Sequence, residues 1–523
     1  DSSTSRGLGD VYKRQVLLSL LGMVAALIAD KMRPGMILFS VVVLFLCAGI
    51  LTPKEMLEGF SNKGMITVAL LFLVSEGIRQ SGTLGQVIKK LLPQGKTTVF
   101  KAQLRILPSV AFISAFLNNT PVVVIFAPII KHWAKSVNLP ATKFLIPLSY
   151  VTILGGICTL IGTSTNLVVH GMILEAGFEG FSMFELGKVG IFIAIAGIIY
   201  IFLFSKRLLP DARPDTAVPD EEVEEGEKLH RVEAVLGARF PGINKKLKDF
   251  NFQRHYGAEV KEIKTRNGQR FVSNLEEVVL HEGDTLVVMA DDTFIPTWGE
   301  SSVFVLLTNG NEPDTTGKKK KRWFALLLLV LMIVGATVGE LPITKEMFPD
   351  IKLDMFFFVS ITTIIMAWTN LFPARKYTKY ISWDILITIA CAFAISKAMV
   401  NSGVADSVAK FIIGLSDDYG PHVLLAMVFI ITNLFTELIT NNAAAALAFP
   451  LALSISAQLG VSPTPFFVVI CMAASASFST PIGYQTNLIV QGIGNYKFTD
   501  FVRIGLPLNI ITFLISIILI PLI

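Results

Sequence analysis

Charge is what this sequence has least of. Only 16% of its 523 residues are Asp, Glu, Lys or Arg, where a soluble domain carries about 25%. Cysteine is scarce as well. Cys47, Cys158, Cys391 and Cys471 lie far apart in apolar segments without ligand spacing, which argues against a disulfide framework or a cysteine metal site and leaves them as packing residues. The six histidines are equally scattered. No Gly-x-x-x-x-Gly-Lys-Ser/Thr loop and no Gly-Tyr-Gly run occurs, which argues against an ATP-driven pump and a filter-type channel. No constellation of nucleophile, acid and base argues for an enzyme. The net charge of +5 comes with no nucleic-acid-binding motif.

What is present is apolar. Hydrophobic residues make up 52% of the chain and mean hydropathy is +0.62, so the composition is that of a polytopic α-helical membrane protein whose outer faces meet lipid. Apolar runs at 16–29, 36–51, 66–78, 144–160, 189–204, 324–338, 355–368, 385–399, 466–476 and 504–523 predict its spans. Residues 1–15 read as a polar leader outside the fold. The run 16–29 lacks a small-residue cleavage signature and reads as a first helix.

Polar residues inside these runs occur twice. Ser114 is followed by Asn118-Asn119-Thr120, and Thr436 by Thr440-Asn441-Asn442. Gly162-Thr163-Ser164-Thr165-Asn166 is answered by Gly483-Tyr484-Gln485-Thr486-Asn487, and Ser81-Gly82 by Ser402-Gly403. Asn119 to Asn441 spans 322 positions; Asn166 to Asn487 and Gly82 to Gly403 each span 321. Every unpaired amide or carbonyl in lipid costs several kcal/mol. Two such sets in register point to a binding site built from two repeats at the membrane midplane. The apolar pieces flanking each Asn pair (106–117 and 121–130, then 424–436 and 443–455) are about ten residues, or roughly 15 Å of helix, half the hydrocarbon thickness. Each pair predicts a re-entrant hairpin with the polar motif at its tip. Each Gly-to-Asn segment predicts an unwound helix break.

Residues 209–321 are of another kind. An acidic run at 220–227 reads as a solvated linker. Strands are expected at 231–236, 259–264, 269–272 and 283–289, with a short helix at 245–256 and a tight turn at Asn267-Gly268. The basic run 318–322 closes the segment. The chain therefore divides into a first membrane repeat (16–208), a linker and regulatory α+β domain (209–321) and a second membrane repeat (322–523). Lys206 and Arg207 before the insert and the basic run after it place it in the cytoplasm. Between Lys89 and Lys143 the first repeat carries eight Lys or Arg, whereas Phe411 to Tyr496 carries none. The first hairpin then enters from the cytoplasm and the second from outside, an inverted-topology repeat.

A cation such as Na⁺ takes neutral oxygen ligands, including carbonyls freed by helix breaks. Ser114, Asn119 and Gly162 supply them in the first half, and Thr436, Asn441 and Gly483 in the second. An anion takes donors instead, which Asn119, Thr120, Thr163, Asn441, Asn442 and the half-helix N-termini provide. No Lys or Arg falls within either motif. A bound cation would be the main positive charge holding the anion, which couples the two. Glu76, Lys397 and Glu437 also lie near membrane depth. Glu437 stands where the first repeat has Ala115, so the repeat assigns it a local structural role.

These residues resemble the divalent anion/sodium symporter family, whose hallmark is a Ser-Asn-Thr tripeptide at each of two hairpin tips followed by broken helices. The matches are Asn118-Asn119-Thr120 and Thr440-Asn441-Asn442, with Gly162-Thr163 and Gly483-Tyr484 at the breaks. The family's Pro-Pro is Ser164-Thr165 and Gln485-Thr486 here. The resemblance implies a homodimer with an elevator-type transport motion. The insert is similar to the C-terminal ligand-binding subdomain of potassium-conductance regulators, carried by Arg239-Phe-Pro-Gly-Ile243 and Glu282-Gly-Asp-Thr-Leu286. That likeness implies a small-molecule or nucleotide ligand at a dimer seam; the strands and turn of residues 231–289, between an acidic tether and a basic anchor, predict a module that folds alone and tunes transport without touching the substrate path. The expected function is Na⁺-coupled transport of a small divalent anion, sulfate ahead of dicarboxylate. The alternatives are a cation/proton antiporter and a transporter of another inorganic anion.

Overall fold

Local capping chemistry sets the helix boundaries of the first half. Helices α1 (Ser2–Ala29) and α2 (Pro34–Cys47) lead to α3 (Lys63–Gln80), whose N-cap Asn62 accepts from the Gly64 and Met65 N–H groups. Gly82, at φ 72°, turns the chain into α4 (Thr83–Leu91). Next come α5 (Val99–Ser114), α6 (Asn119–Ser136), α7 (Leu145–Gly156), α8 (Ser164–Glu175) and α9 (Gly187–Leu208). The computed structural model describes all residues except 1, 30–31, 94, 212–228, 238, 267, 292, 300–302, 309–318, 349, 415–420 and 523. The acidic run 220–227, Asn267 of the expected turn and Lys318 fall outside the described residues.

The second half follows the same order. It comprises α10 (Lys319–Gly339), α11 (Met355–Trp368), α12 (Trp383–Asn401), α13 (Val404–Gly414), α14 (Pro421–Leu438), α15 (Asn441–Leu459), α16 (Thr464–Ser475), α17 (Gln485–Gly494) and α18 (Phe498–Leu519). Gly403 has the same φ of 72° as its counterpart Gly82. Among the described residues, seven helices are long and apolar enough to cross a membrane. This is a mostly helical, multi-pass membrane protein. Helix α7 is buried along its whole length, and α16 is buried over Phe466–Ser475. Helices α9, α10 and α18 turn stripes outward: Ile191, Ile195 and Ile199; Leu327, Leu331 and Val334; Ile510, Leu514 and Ile518. Such one-sided apolar exposure is what a lipid-facing helix presents.

Three expectations need correction. The first helix does not begin at residue 16: α1 runs from Ser2. The hairpin arms are not ten residues long. Helices α5, α6, α14 and α15 run to 16, 18, 18 and 19 residues, because helical hydrogen bonding continues through polar outer turns such as Lys131–Ser136. Residues 245–256 are not one helix. A 3₁₀ turn (Leu247–Asp249) and a helix (Phe252–Tyr256) replace it, and Lys246 instead bridges to Val279.

Between α9 and α10 the chain forms a five-stranded antiparallel sheet in the order β3-β2-β4-β1-β5, with β1 (His230–Leu236), β2 (Glu259–Lys264), β3 (Arg270–Phe271), β4 (Thr285–Ala290) and β5 (Phe304–Thr308). Phe240, Phe250, Phe252, Tyr256, Leu286 and Phe304 fill its core. The sheet is docked, not tethered at a distance. Glu233 of β1 is 2.9 Å from Lys131 of α6 and 3.3 Å from Lys264 of β2. Gly283 packs on Leu488, Thr285 on Gly492, and Gly268 on Lys497. Arg239 donates to the Ile381 carbonyl at 3.1 Å. The insert therefore touches α6 and α17, the helices whose N-termini carry Asn119 and Gln485.

Candidate functional site

Four chain breaks meet at the centre of the helical bundle. Helix α5 ends at Ser114 and α6 begins at Asn119, so the tip between them is only four residues long. Helix α14 ends at Leu438 and α15 begins at Asn441. The segments between α7 and α8, and between α16 and α17, are the two helix breaks. Asn166 donates to the carbonyls of Gly156 (3.4 Å) and Thr159 (2.8 Å). Asn487, 321 positions later, donates to those of Ser477 (2.9 Å) and Thr480 (3.2 Å). Each Asn thus satisfies carbonyls that its broken helix leaves without helical partners. Thr159 donates to the Ala115 carbonyl and Thr480 to that of Glu437. The repeat in the sequence is a repeat of hydrogen bonds.

Each hairpin tip is also held by the break of the other repeat. The Asn119 amide head meets the Tyr484 hydroxyl at 2.7 Å, and Thr120 Oγ1 donates to Gln485 Oε1 at 3.2 Å. In the opposite direction, Asn441 Nδ2 donates to Thr165 Oγ1 at 2.8 Å, while Asn442 Oδ1 accepts from Ser164 and Thr165 at 3.3 Å. Thr163 Oγ1 lies 2.9 Å from the Tyr484 hydroxyl, 321 positions away. Ser149 joins the braces, donating to Asn487 Oδ1 at 2.7 Å and lying 2.8 Å from the Thr486 hydroxyl.

Two groupings of oxygen stand out. The amide head of Asn119, 1% exposed, lies 2.8 Å from Ser114 Oγ, 3.1 Å from the Thr152 carbonyl and 3.2 Å from the Gly162 carbonyl. With its nitrogen turned inward it donates to all three. With its oxygen inward the four form a cluster of neutral oxygens, an arrangement that a hard cation stabilises. In the second half, the Thr436 carbonyl, Ser477 Oγ and Gly483 crowd together, so that a Cβ on Gly483 would collide with both oxygens. Thr436 Oγ1 donates to the Ala474 carbonyl at 2.6 Å. Asn441 is placed differently from Asn119: its Nδ2 donates to Thr165 and its Oδ1 accepts from the Asn442 N–H.

Of the charged residues near membrane depth, Glu437 borders the second oxygen grouping, accepting from Ser477 Oγ at 3.4 Å. Glu76 pairs with Arg79 at 2.7 Å. Lys397 is exposed near Glu55. Glu437 accepts from the Ser479 N–H (2.9 Å) and from Asn509 (2.7 Å). The groups that sequence reasoning did not place in the site are Tyr484, Gln485, Ser164 and Thr165. The constant offset, which pairs Thr163 with Tyr484, was the signal that could have found the first.

Residues 24–454 and 344–523 match the family model described as citrate transporter. The chain belongs to the citrate transporter family. An uncharacterized transporter of Synechocystis is 30% identical over 92% of this chain and 92% of its own length. A Chlamydomonas reinhardtii protein named probable sodium/sulfate cotransporter 3 is 23% identical over 92% of this chain and 85% of its own length. The Alcanivorax borkumensis YdaH transporter crystal structure aligns over 98% of both chains with a TM-score of 0.52 at 12% identity, a likeness of fold. Members of this family are transporters, not enzymes, and their substrates are small anions.

Proposed function

We propose that the two hairpin tips and two helix breaks form the substrate and Na⁺ site of an inverted-repeat symporter that moves a small divalent anion, sulfate ahead of dicarboxylate. The observation that carries this reading is the cross-bracing: Asn119 and Thr120 bond to the second break, and Asn441 and Asn442 to the first. Asn119, Asn441 and Asn442, with Thr120 and Thr163, offer donors to an anion. Ser114, Asn119 and Gly162 offer oxygens to one Na⁺, and Thr436, Asn441 and Gly483 to a second. Every one of these groups is neutral, so the anion's charge is balanced by the cations it enters with. The sodium/sulfate name of the Chlamydomonas relative agrees with that pairing.

In this reading the hairpins are re-entrant from opposite sides and the core moves as an elevator within a homodimer. The docked sheet is a cytoplasmic regulatory domain of the potassium-conductance-regulator kind, with a small-molecule or nucleotide ligand. Its contact with Lys131, one of the basic residues flanking the first hairpin, supports that reading. Thermal unfolding of the purified protein tests the coupling. Sulfate raises Tm in Na⁺ buffer and not in a K⁺ buffer of equal ionic strength, and sulfate tightens the apparent Na⁺ affinity by the same factor. Equal stabilisation by sulfate in both buffers contradicts the proposal.

A further inference from the structure

The two helix breaks are equivalent in position but not in size. The first carries Thr163 and Ser164; at the same offset the second carries Tyr484 and Gln485. The Tyr484 ring is buried at 6% exposure. Its hydroxyl lies 2.7 Å from the Asn119 amide head and 2.9 Å from Thr163 Oγ1, and Asn441 also approaches it. Gln485 reaches Thr120 beside it. One half of a nearly two-fold polar site is therefore occupied by an aromatic side chain of the protein itself, where the other half keeps a small hydroxyl.

We infer that Tyr484 is a specificity-determining residue that restricts the substrate to a compact tetrahedral oxyanion and rejects extended dicarboxylates. This rests on the transport reading above. A linear dicarboxylate separates its two charges by a carbon chain, so each carboxylate needs its own set of donors. A two-fold site with both lobes open meets that need, one carboxylate at each break. With Tyr484 filling the second lobe, the Asn119 amide and the Thr163 hydroxyl both meet the Tyr484 hydroxyl, at 2.7 and 2.9 Å, so the polar groups gather around one point. A sulfate-sized dianion, which carries its charge on oxygens around a single centre, matches that convergence. The phenol both blocks and donates: its ring excludes length and its hydroxyl adds a donor that a compact anion can use.

The test copies the other half. Tyr484→Thr and Tyr484→Phe are purified beside the wild type, and uptake of radiolabelled sulfate and succinate is measured in proteoliposomes under an inward Na⁺ gradient. A thermal shift with each anion is measured in parallel. Wild type is expected to favour sulfate strongly. Tyr484→Thr lowers the sulfate-to-succinate ratio by about tenfold or more, on the scale by which pocket size discriminates. Tyr484→Phe keeps the preference while weakening sulfate, because the ring remains and the donor is lost. An unchanged ratio in folded Tyr484→Thr overturns the inference, whether read by uptake or by thermal shift. So does a wild type that takes both anions equally. If wild type accumulates neither anion, it is the transport reading that fails, together with this inference built on it.

Discussion

The Asn119 amide and the Tyr484 hydroxyl lie 2.7 Å apart although 365 positions separate them. Asn119 starts the second arm of a hairpin in one repeat; Tyr484 precedes a half-helix in the other. Neither repeat can therefore complete the site alone. The same holds for Asn441 and Thr165.

Asn119→Ala and Asn441→Ala should each abolish coupled uptake while leaving a folded protein. Each removes bonds worth roughly 1–3 kcal/mol apiece from a buried cluster whose remaining partners are left unpaired. Uptake at the wild-type rate in Asn441→Ala protein of normal expression would contradict the assigned site.

Gly483→Ala tests the second oxygen grouping through backbone geometry. Its Cβ would fall on the Thr436 carbonyl and the Ser477 hydroxyl, and a carbonyl cannot rotate away. Gly414, whose Cβ would meet nothing within 4 Å, is the control. We expect Gly483→Ala to lose Na⁺-dependent stabilisation and Gly414→Ala to keep it, as read by Tm in Na⁺ against K⁺. Equal behaviour of the two variants would remove Gly483 from the site.

Glu233 should decide whether the insert stays docked. Burial alone would push its carboxyl up, but Lys131 and Lys264 beside it outweigh that and hold it at about 2. A depressed carboxylate stabilises above its unfolded value, 4.5, and that contribution is lost as pH falls from about 4.5 toward 2. Glu233→Gln reproduces the loss at neutral pH and breaks a buried ion pair, at a cost of roughly 3–5 kcal/mol. Hydrogen exchange in β1 and along the end of α6 near Lys131 should rise in the variant and, for the wild type, below pH 4.5. Unchanged protection in both cases would show that the seam does not depend on this pair.

Topology is checked by access. Phe116→Cys and Leu438→Cys, at equivalent places near the two tips, are introduced after removal of the four native cysteines. A membrane-impermeant maleimide should reach the first from the cytoplasmic side and the second from outside. Labelling of both from one side under every ion and substrate condition excludes inverted hairpins.

The two repeats were legible because Asn and Gly within apolar runs stand out, and because the offset between counterparts stays at 321 or 322 positions from Gly82/Gly403 to Asn166/Asn487. The soluble insert was legible through the alternation of His230–Leu236 and the strand at Thr285–Ala290. What escaped was tertiary. Nothing local says that Asn119 bonds to Tyr484, or that Glu233 leaves its sheet to meet Lys131. Strand β5, Phe304–Thr308, was missed because four consecutive apolar residues carry no alternation. The hairpin arms were read short because the apolar run ends before the helix does: α6 continues past Ile130 to Ser136 on backbone bonds that side-chain polarity does not interrupt.

The measurement that bears most directly on the central claim is accumulation of radiolabelled sulfate in proteoliposomes holding only this protein. With an inward Na⁺ gradient, sulfate should rise above its external concentration and then fall as the gradient dissipates. With K⁺ on both sides it should only equilibrate. Accumulation that ignores Na⁺, or no sulfate entry under any gradient, would contradict the account.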